Sequence, residues 1–170
     1  RYDEDNNAIT GEVLVSQNTG HHINSDVTVL TDGSFIVAWQ GFVSTTNTGD
    51  YDVYFQYYDK QGVSTGVSIV KVNVNSINHA SENVSTAALT SGGFVIVWSD
   101  GSDIYAQNYD ANGLSVNNNF KVNTYAVGNQ LSPEVAASND GGFVVVWHGE
   151  GSGDSEGIYA QRYDKDGAIN

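Results

Sequence analysis

The stretch Gly141-Gly142-Phe143-Val144-Val145-Val146-Trp147 decides the fold, because it occurs three times in one chain. Its copies are Ser34-Phe35-Ile36-Val37-Ala38-Trp39 and Gly92-Gly93-Phe94-Val95-Ile96-Val97-Trp98. A turn signal precedes each copy: Asp32-Gly33, Ser91-Gly92 and Asp140-Gly141. Short β-branched runs bounded by Asp, Ser and Gly read as strands between tight turns.

Working outward from that run, a second element recurs downstream. It is Val53-Tyr54-Phe55-Gln56-Tyr57-Tyr58-Asp59, then Ile104-Tyr105-Ala106-Gln107-Asn108-Tyr109-Asp110, then Ile158-Tyr159-Ala160-Gln161-Arg162-Tyr163-Asp164. Val67 to Asn73 and Asn119 to Asn123 follow, both ending in Lys-Val-Asn. Upstream of the Phe-to-Trp run lie Val27 to Leu30, Val84 to Leu89 and Val135 to Ser138. Each unit therefore reads as four antiparallel strands. The repeats cover about residues 18–73, 74–123 and 124–170 of a single domain. The last lacks its own fourth strand, so residues 12–16 are expected to complete it, hiding an edge that would otherwise invite aggregation. No stretch carries helical periodicity.

The second strand of each repeat is apolar on both sides. Phe94, Ile96 and Trp98 point one way, Val95 and Val97 the other. A sheet wetted on one side would alternate, so each sheet is expected to be covered on both faces. The first strand is built of small residues, such as Ser85 to Ala88, which suits the crowded centre of a radial array. The fold class is all-β, three four-stranded repeats arranged as β-propeller-like blades; the alternative is a threefold β-prism or trefoil-like body. Propellers typically have four to eight blades, so self-association into a six-bladed dimer is one way to close the ring.

Composition narrows the function. Twenty acidic and six basic residues give a net charge of −14, which argues against nucleic-acid partners. There is no Cys, so disulfides, thiolate metal sites and a Cys nucleophile are excluded. No apolar run approaches the length of a membrane span. Calcium is the natural counter-charge.

The three motifs together resemble a tandem repeat of very large secreted bacterial proteins, which often also carry RTX-type calcium repeats and adhesin-like modules. The resemblance spans essentially the whole chain. It implies a secreted or cell-surface location and calcium dependence, and it implies no reaction. The glycine-rich calcium nonapeptide of those proteins is absent.

Acidic residues gather in the connection between the second and third strands of each repeat: Asp50 and Asp52, Asp100 and Asp103, Asp154 and Glu156. Carboxylates in Gly-rich loops can supply the oxygens Ca²⁺ requires, so these six are the candidate metal ligands, against a plain reading as solvated turns. Trp39, Trp98 and Trp147 occupy equivalent strand ends; exposed, they would stack on sugars, and buried, they would be core. Asp59, Asp110 and Asp164 read as caps of hairpin turns. Gln56, Gln107 and Gln161 read as amides that satisfy backbone groups. His22, His79 and Gln130 share one register. No nucleophile elbow or isolated carboxylate pair stands out.

These readings lead to a non-catalytic extracellular binding or adhesion module, calcium-assisted, with a glycan or cell-surface protein as partner. The alternatives are a structural or self-assembling spacer and an accessory domain of an extracellular hydrolase.

Overall fold

The computed structural model describes residues 5–8, 11–16, 20–42, 51–65, 69–73, 81–165 and 167–170. The chain forms three antiparallel sheets in sequence order. Sheet 1 holds β1 (His21–Val29), β2 (Phe35–Phe42), β3 (Asp52–Tyr58) and β4 (Val70–Lys71). Sheet 2 holds β5 (Ser81–Ala88), β6 (Phe94–Asp100), β7 (Asp103–Tyr109) and β8 (Ser115–Lys121). Sheet 3 holds β9 (Gln130–Ala137), β10 (Phe143–Gly151) and β11 (Asp154–Tyr163). Each is a simple meander, as blades of a propeller-like fold are.

The turns are repeated to the atom. Between the first and second strands, the amides of Leu30, Leu89 and Ser138 donate to the carbonyls of Ser34, Gly93 and Gly142. Gly33, Gly92 and Gly141 sit there at φ of 86°, 90° and 95°, a region open to Gly at no steric cost. After the third strand, Asp59 and Asp110 each accept two amides on one carboxylate oxygen, from Gln61 and Val63 and from Asn112 and Leu114. Asp164 accepts from Ala168 in the same way. The side chain thus holds the hairpin that the Gly after it allows.

Every sheet has an aromatic face and a reverse face. On the aromatic face, Phe35 stacks on Tyr58, Phe94 on Tyr109 and Phe143 on Tyr163, with ring centroids 4.8–4.9 Å apart. Trp39, Trp98 and Trp147 stack on Tyr54, Tyr105 and Tyr159 at 6.1–6.2 Å. The aromatic face of sheet 2 packs on the reverse face of sheet 1, where Leu30, Ile36, Ala38, Val53 and Phe55 lie. The aromatic face of sheet 3 packs likewise on Ala87, Leu89, Val95, Val97, Ile104 and Ala106 of sheet 2. The same interface is used twice.

Two expectations are corrected. Among the described residues only sheet 2 is covered on both sides: Phe94, Val95, Ile96, Val97 and Trp98 are all fully buried. Sheets 1 and 3 each keep one face open, and Val27, Val29 and Ile158 are 59%, 64% and 78% exposed. An array of three sheets in a row has only two interfaces to distribute. Residues 12–16 do not complete sheet 3; they form no strand and lie beside Phe35, Val37, Trp39 and Tyr58 of sheet 1. Sheet 1 is the next element along the chain and offers its open aromatic face, whereas sheet 3 stands at the other end of the row.

Burial keeps the stacked tyrosines protonated. Tyr163 is raised by desolvation to about 12, and Tyr54 to about 12 by desolvation and then by the neighbouring Asp52 carboxylate. The unfolded chain titrates near the ordinary value of about 10, so it loses these protons first. The stability these phenols contribute is therefore complete below about pH 10 and is lost as pH rises through about 12. Thermal unfolding followed by circular dichroism should show a midpoint that falls across that window, in step with tyrosinate absorbance.

Candidate functional site

The first strands, β1, β5 and β9, carry the irregularity that matters most. Each is bulged at one register, between Ile23 and Asp26, between Glu82 and Ser85, and at the step opposite Val146 and His148. Asn24, Asn83 and Ser132 sit in the bulges at φ of 49°, 54° and 51°. Asn tolerates this left-handed region, whereas Ser is held there at a cost. A bulge bends the strand and re-aims the side chains that follow. Two residues later come Asp26, Ser85 and Glu134, one per sheet.

Asp26 and Glu134 are each tied to β5 across the sheets. The Asp26 carboxylate accepts the Thr86 amide at 2.7 Å and the Thr86 hydroxyl at 2.9 Å. Its other oxygen accepts the Val27 amide at 2.8 Å. Ser85 donates its hydroxyl to Glu134 at 2.9 Å and accepts the Val135 amide at 3.3 Å. Two carboxylates from different sheets are thereby brought to consecutive residues of β5. Glu134 is exposed, with one oxygen engaged by Ser85. Sequence reading missed this pair because Ser85 interrupts the acidic register; the signal was the shared offset of Asn24, Asn83 and Ser132 from Phe35, Phe94 and Phe143.

The expected metal ligands fall elsewhere and apart. Asp50 lies outside the described residues. Asp52 accepts Asn73 Nδ2 at 2.9 Å and pairs with Lys71 at 2.8 Å. Asp103 accepts Asn123 Nδ2 at 2.7 Å and meets Lys121 at 3.5 Å. Asp100 faces Asp103 across its hairpin, and Asp154 caps the Glu156 amide at 3.0 Å. The five described positions are spread over three sheets, and among the described residues no three acidic or His side chains are grouped to hold a metal ion.

The Lys-Val-Asn motif has a structural explanation here. Asn73 and Asn123 each accept a buried amide, of Val53 at 3.0 Å and Ile104 at 2.7 Å, while donating to the Asp next to it. The repeated glutamines act similarly: Gln56, Gln107 and Gln161 donate to the carbonyl of the next residue.

The tryptophans are corrected as a glycan platform. Trp39, Trp98 and Trp147 are 4%, 0% and 7% exposed, so their ring faces are spent on the paired tyrosines and the core. Trp147 Nε1 donates to Gln130 at 2.8 Å. His22 stands edge-on to Trp39 at 6.5 Å in the equivalent place. His79 lies outside the described residues, and the position opposite Asp100 is taken by Ser81, so the His-His-Gln register was two residues off in the second repeat.

No protein-family model and no curated protein matches the chain. Solved structures do. An endo-arabinase from Bacteroides thetaiotaomicron aligns over 91% of this chain and 60% of its own length, at 14% identity and a TM-score of 0.55. A GH43 endo-arabinanase from Bacillus licheniformis aligns over 88% and 56%, at 15% identity and 0.55. A thermostable family-43 glycoside hydrolase aligns over 87% and 56%, at 14% and 0.53. At these identities the likeness establishes the β-propeller-like fold. The chain spans less than two thirds of the length of each of these structures.

That finding corrects the reading of the repeat as a non-catalytic adhesion module. The expectation rested on a repeated all-β architecture without a recognisable catalytic motif. The same architecture is that of glycoside hydrolases, so it does not speak against catalysis.

Replacing Asn123 by Ala should leave the Ile104 amide buried without its acceptor, at a cost of about 1–3 kcal/mol. Asn73→Ala should do the same at Val53. Urea unfolding midpoints check both.

Proposed function

We propose that the chain is a propeller sector of a polysaccharide-degrading hydrolase acting outside the cell, with Asp26 and Glu134 as the carboxylates directed at the glycosidic bond. The observation that carries this reading is that those two side chains, from separate sheets, bond to the consecutive residues Ser85 and Thr86 of one first strand. Glycoside hydrolysis ordinarily needs two carboxyl groups flanking the scissile bond, one giving a proton to the leaving oxygen and the other attacking or activating water. Glu134, exposed and engaged at one oxygen, is open to a bound glycan and is assigned the first role. Asp26, fixed by three hydrogen bonds, takes the second role.

Three further features support the reading. The bulges that aim both residues are of a kind over-represented beside active sites. The fold is shared with enzymes named for arabinan cleavage, which makes arabinan the first substrate to try. The resemblance to repeats of secreted bacterial proteins supports the extracellular setting. A second reading, an accessory sector that holds the glycan while another part of a longer protein cleaves it, is favoured by how fully the Asp26 carboxylate is used by the fold.

The chain should release reducing ends from arabinan or a related polysaccharide. Asp26→Asn and Glu134→Gln should each lower kcat by about 100-fold or more with KM little changed, the scale of general acid–base catalysis. Unaltered turnover in both variants would reject the pair. Retained glycan binding without turnover in the parent sequence would favour the accessory role.

A further inference from the structure

The two junctions between neighbouring sheets differ at one position. Tyr57 pairs with Ile36 in sheet 1, and Asn108 pairs with Val95 at the same register of sheet 2. Alternation along the strand puts both on the reverse face, which the next sheet covers. Tyr57 closes the first junction. It is buried, and its hydroxyl donates to the Ala111 carbonyl in the turn after β7 at 3.2 Å and meets Ser34 Oγ at 2.7 Å. Its ring lies along that turn, where a Cβ added to Gly113 would stand 3.6 Å from it.

The second junction repeats the turn without the ring. Gly167, at φ 79°, matches Gly113 at 76°, and each donates its amide to the Asp three residues before it at 3.0 Å. Lys165 holds the place of Ala111. Where the phenol would lie there is a cleft of about 440 Å³, bordered by Leu89, Ser91, Asn108, Asp110, Asn117 and Lys165. Asn108 Oδ1 is buried and receives no hydrogen bond from any described residue. A buried acceptor left unpaired is costly, and a donor that reaches it recovers that cost.

The walls specify the occupant. The first junction shows that the space suits a ring bearing a hydroxyl. Asp110 and Lys165 oppose each other in sign, so a charged ligand finds no net attraction. Ser91, Asn108 and Asn117 exchange hydrogen bonds with a polyol, whereas a plain aromatic ring would strip water from them and return nothing. We propose that the rim between sheets 2 and 3 is a carbohydrate site, which takes one neutral sugar ring in the place that Tyr57 fills in the other junction, with a sugar hydroxyl donating to Asn108 Oδ1. The site is built on a third strand and on turns, whereas Asp26 and Glu134 lie on first strands. It goes beyond the hydrolase reading and does not require it.

Nuclear magnetic resonance on the nitrogen-labelled 170-residue chain tests this, with L-arabinose, D-xylose, D-galactose and D-glucose as the probes and p-cresol as the aromatic comparison. At least one sugar should shift the amide signals of Ser91, Asn108 and Asn117 together and saturably. Asn108→Tyr supplies the ring from within, so it should abolish those shifts and raise the thermal midpoint. Asn108→Ala keeps the space and removes the acceptor; it should fold as the parent does and bind about tenfold more weakly, the scale of one lost hydrogen bond. No shift at these residues with any of the four sugars would overturn the proposal. Shifts that survive in Asn108→Tyr, sugar affinity unchanged in Asn108→Ala, or saturable binding of p-cresol in place of the sugars would also overturn it. Polysaccharide cleavage is scored separately: sugar bound here without turnover rejects the carboxylate pair alone, and turnover without these shifts rejects this site alone.

Discussion

The structure depends on one contact: a wall of Phe, Trp and Tyr laid against a wall of Val, Ile, Leu and Ala from the neighbouring sheet. A single four-stranded meander of this kind cannot bury its two apolar faces by itself. Stacking supplies that core, as the complete burial of Phe94 to Trp98 in the middle sheet shows. Cross-strand ring pairs repeat within 0.1 Å from sheet to sheet, so the contact is specified geometrically as well as by its apolarity. Everything else serves it. The Asp-capped hairpins set the strand lengths, and the Asn of Lys-Val-Asn satisfies an amide that stacking removes from water.

Much of this was legible in the sequence. The Phe-to-Trp runs, the Tyr-x-Gln strands and the Tyr-Asp turns gave three sheets and their strand order, because alternation and turn chemistry are local signals. What failed was non-local. That Val97 is buried and Val146 is half open cannot be read from the residues, which are the same type at the same register. It follows from the place of each sheet in the row. Residues 12–16 were given a partner at the far end of the chain because a strand was missing there; the open face nearest in sequence took them instead.

The site was less legible than the fold. Acidic loops drew attention because they are rich in Asp, yet Asp52 and Asp103 are each paired with a Lys and hydrogen-bonded by the Asn two residues after it. The carboxylates that reach β5 from the neighbouring sheets lie in plain-looking first strands, and each follows a backbone irregularity. Asn24 and Asn83 hint at it, since Asn accepts a left-handed conformation. Ser132 conceals it, since Ser does not advertise one. The tryptophans misled in the opposite direction: repetition suggested avidity, while burial against Tyr54, Tyr105 and Tyr159 makes them part of the contact described above.

The first strands also set the shape of the whole. β5 and β9 carry small residues, Ala87 and Ala88 and Ala136 and Ala137, while the fourth strand of sheet 2 carries Phe120, whose ring meets Tyr163. Small residues on the first strands and rings on the outer ones favour sheets that taper toward the first strands. That taper, and not any feature of the faces themselves, determines how many sheets complete a turn. A lineage that exchanged these alanines for bulkier residues would blunt the taper and fit more repeats into its circle, leaving every face unchanged.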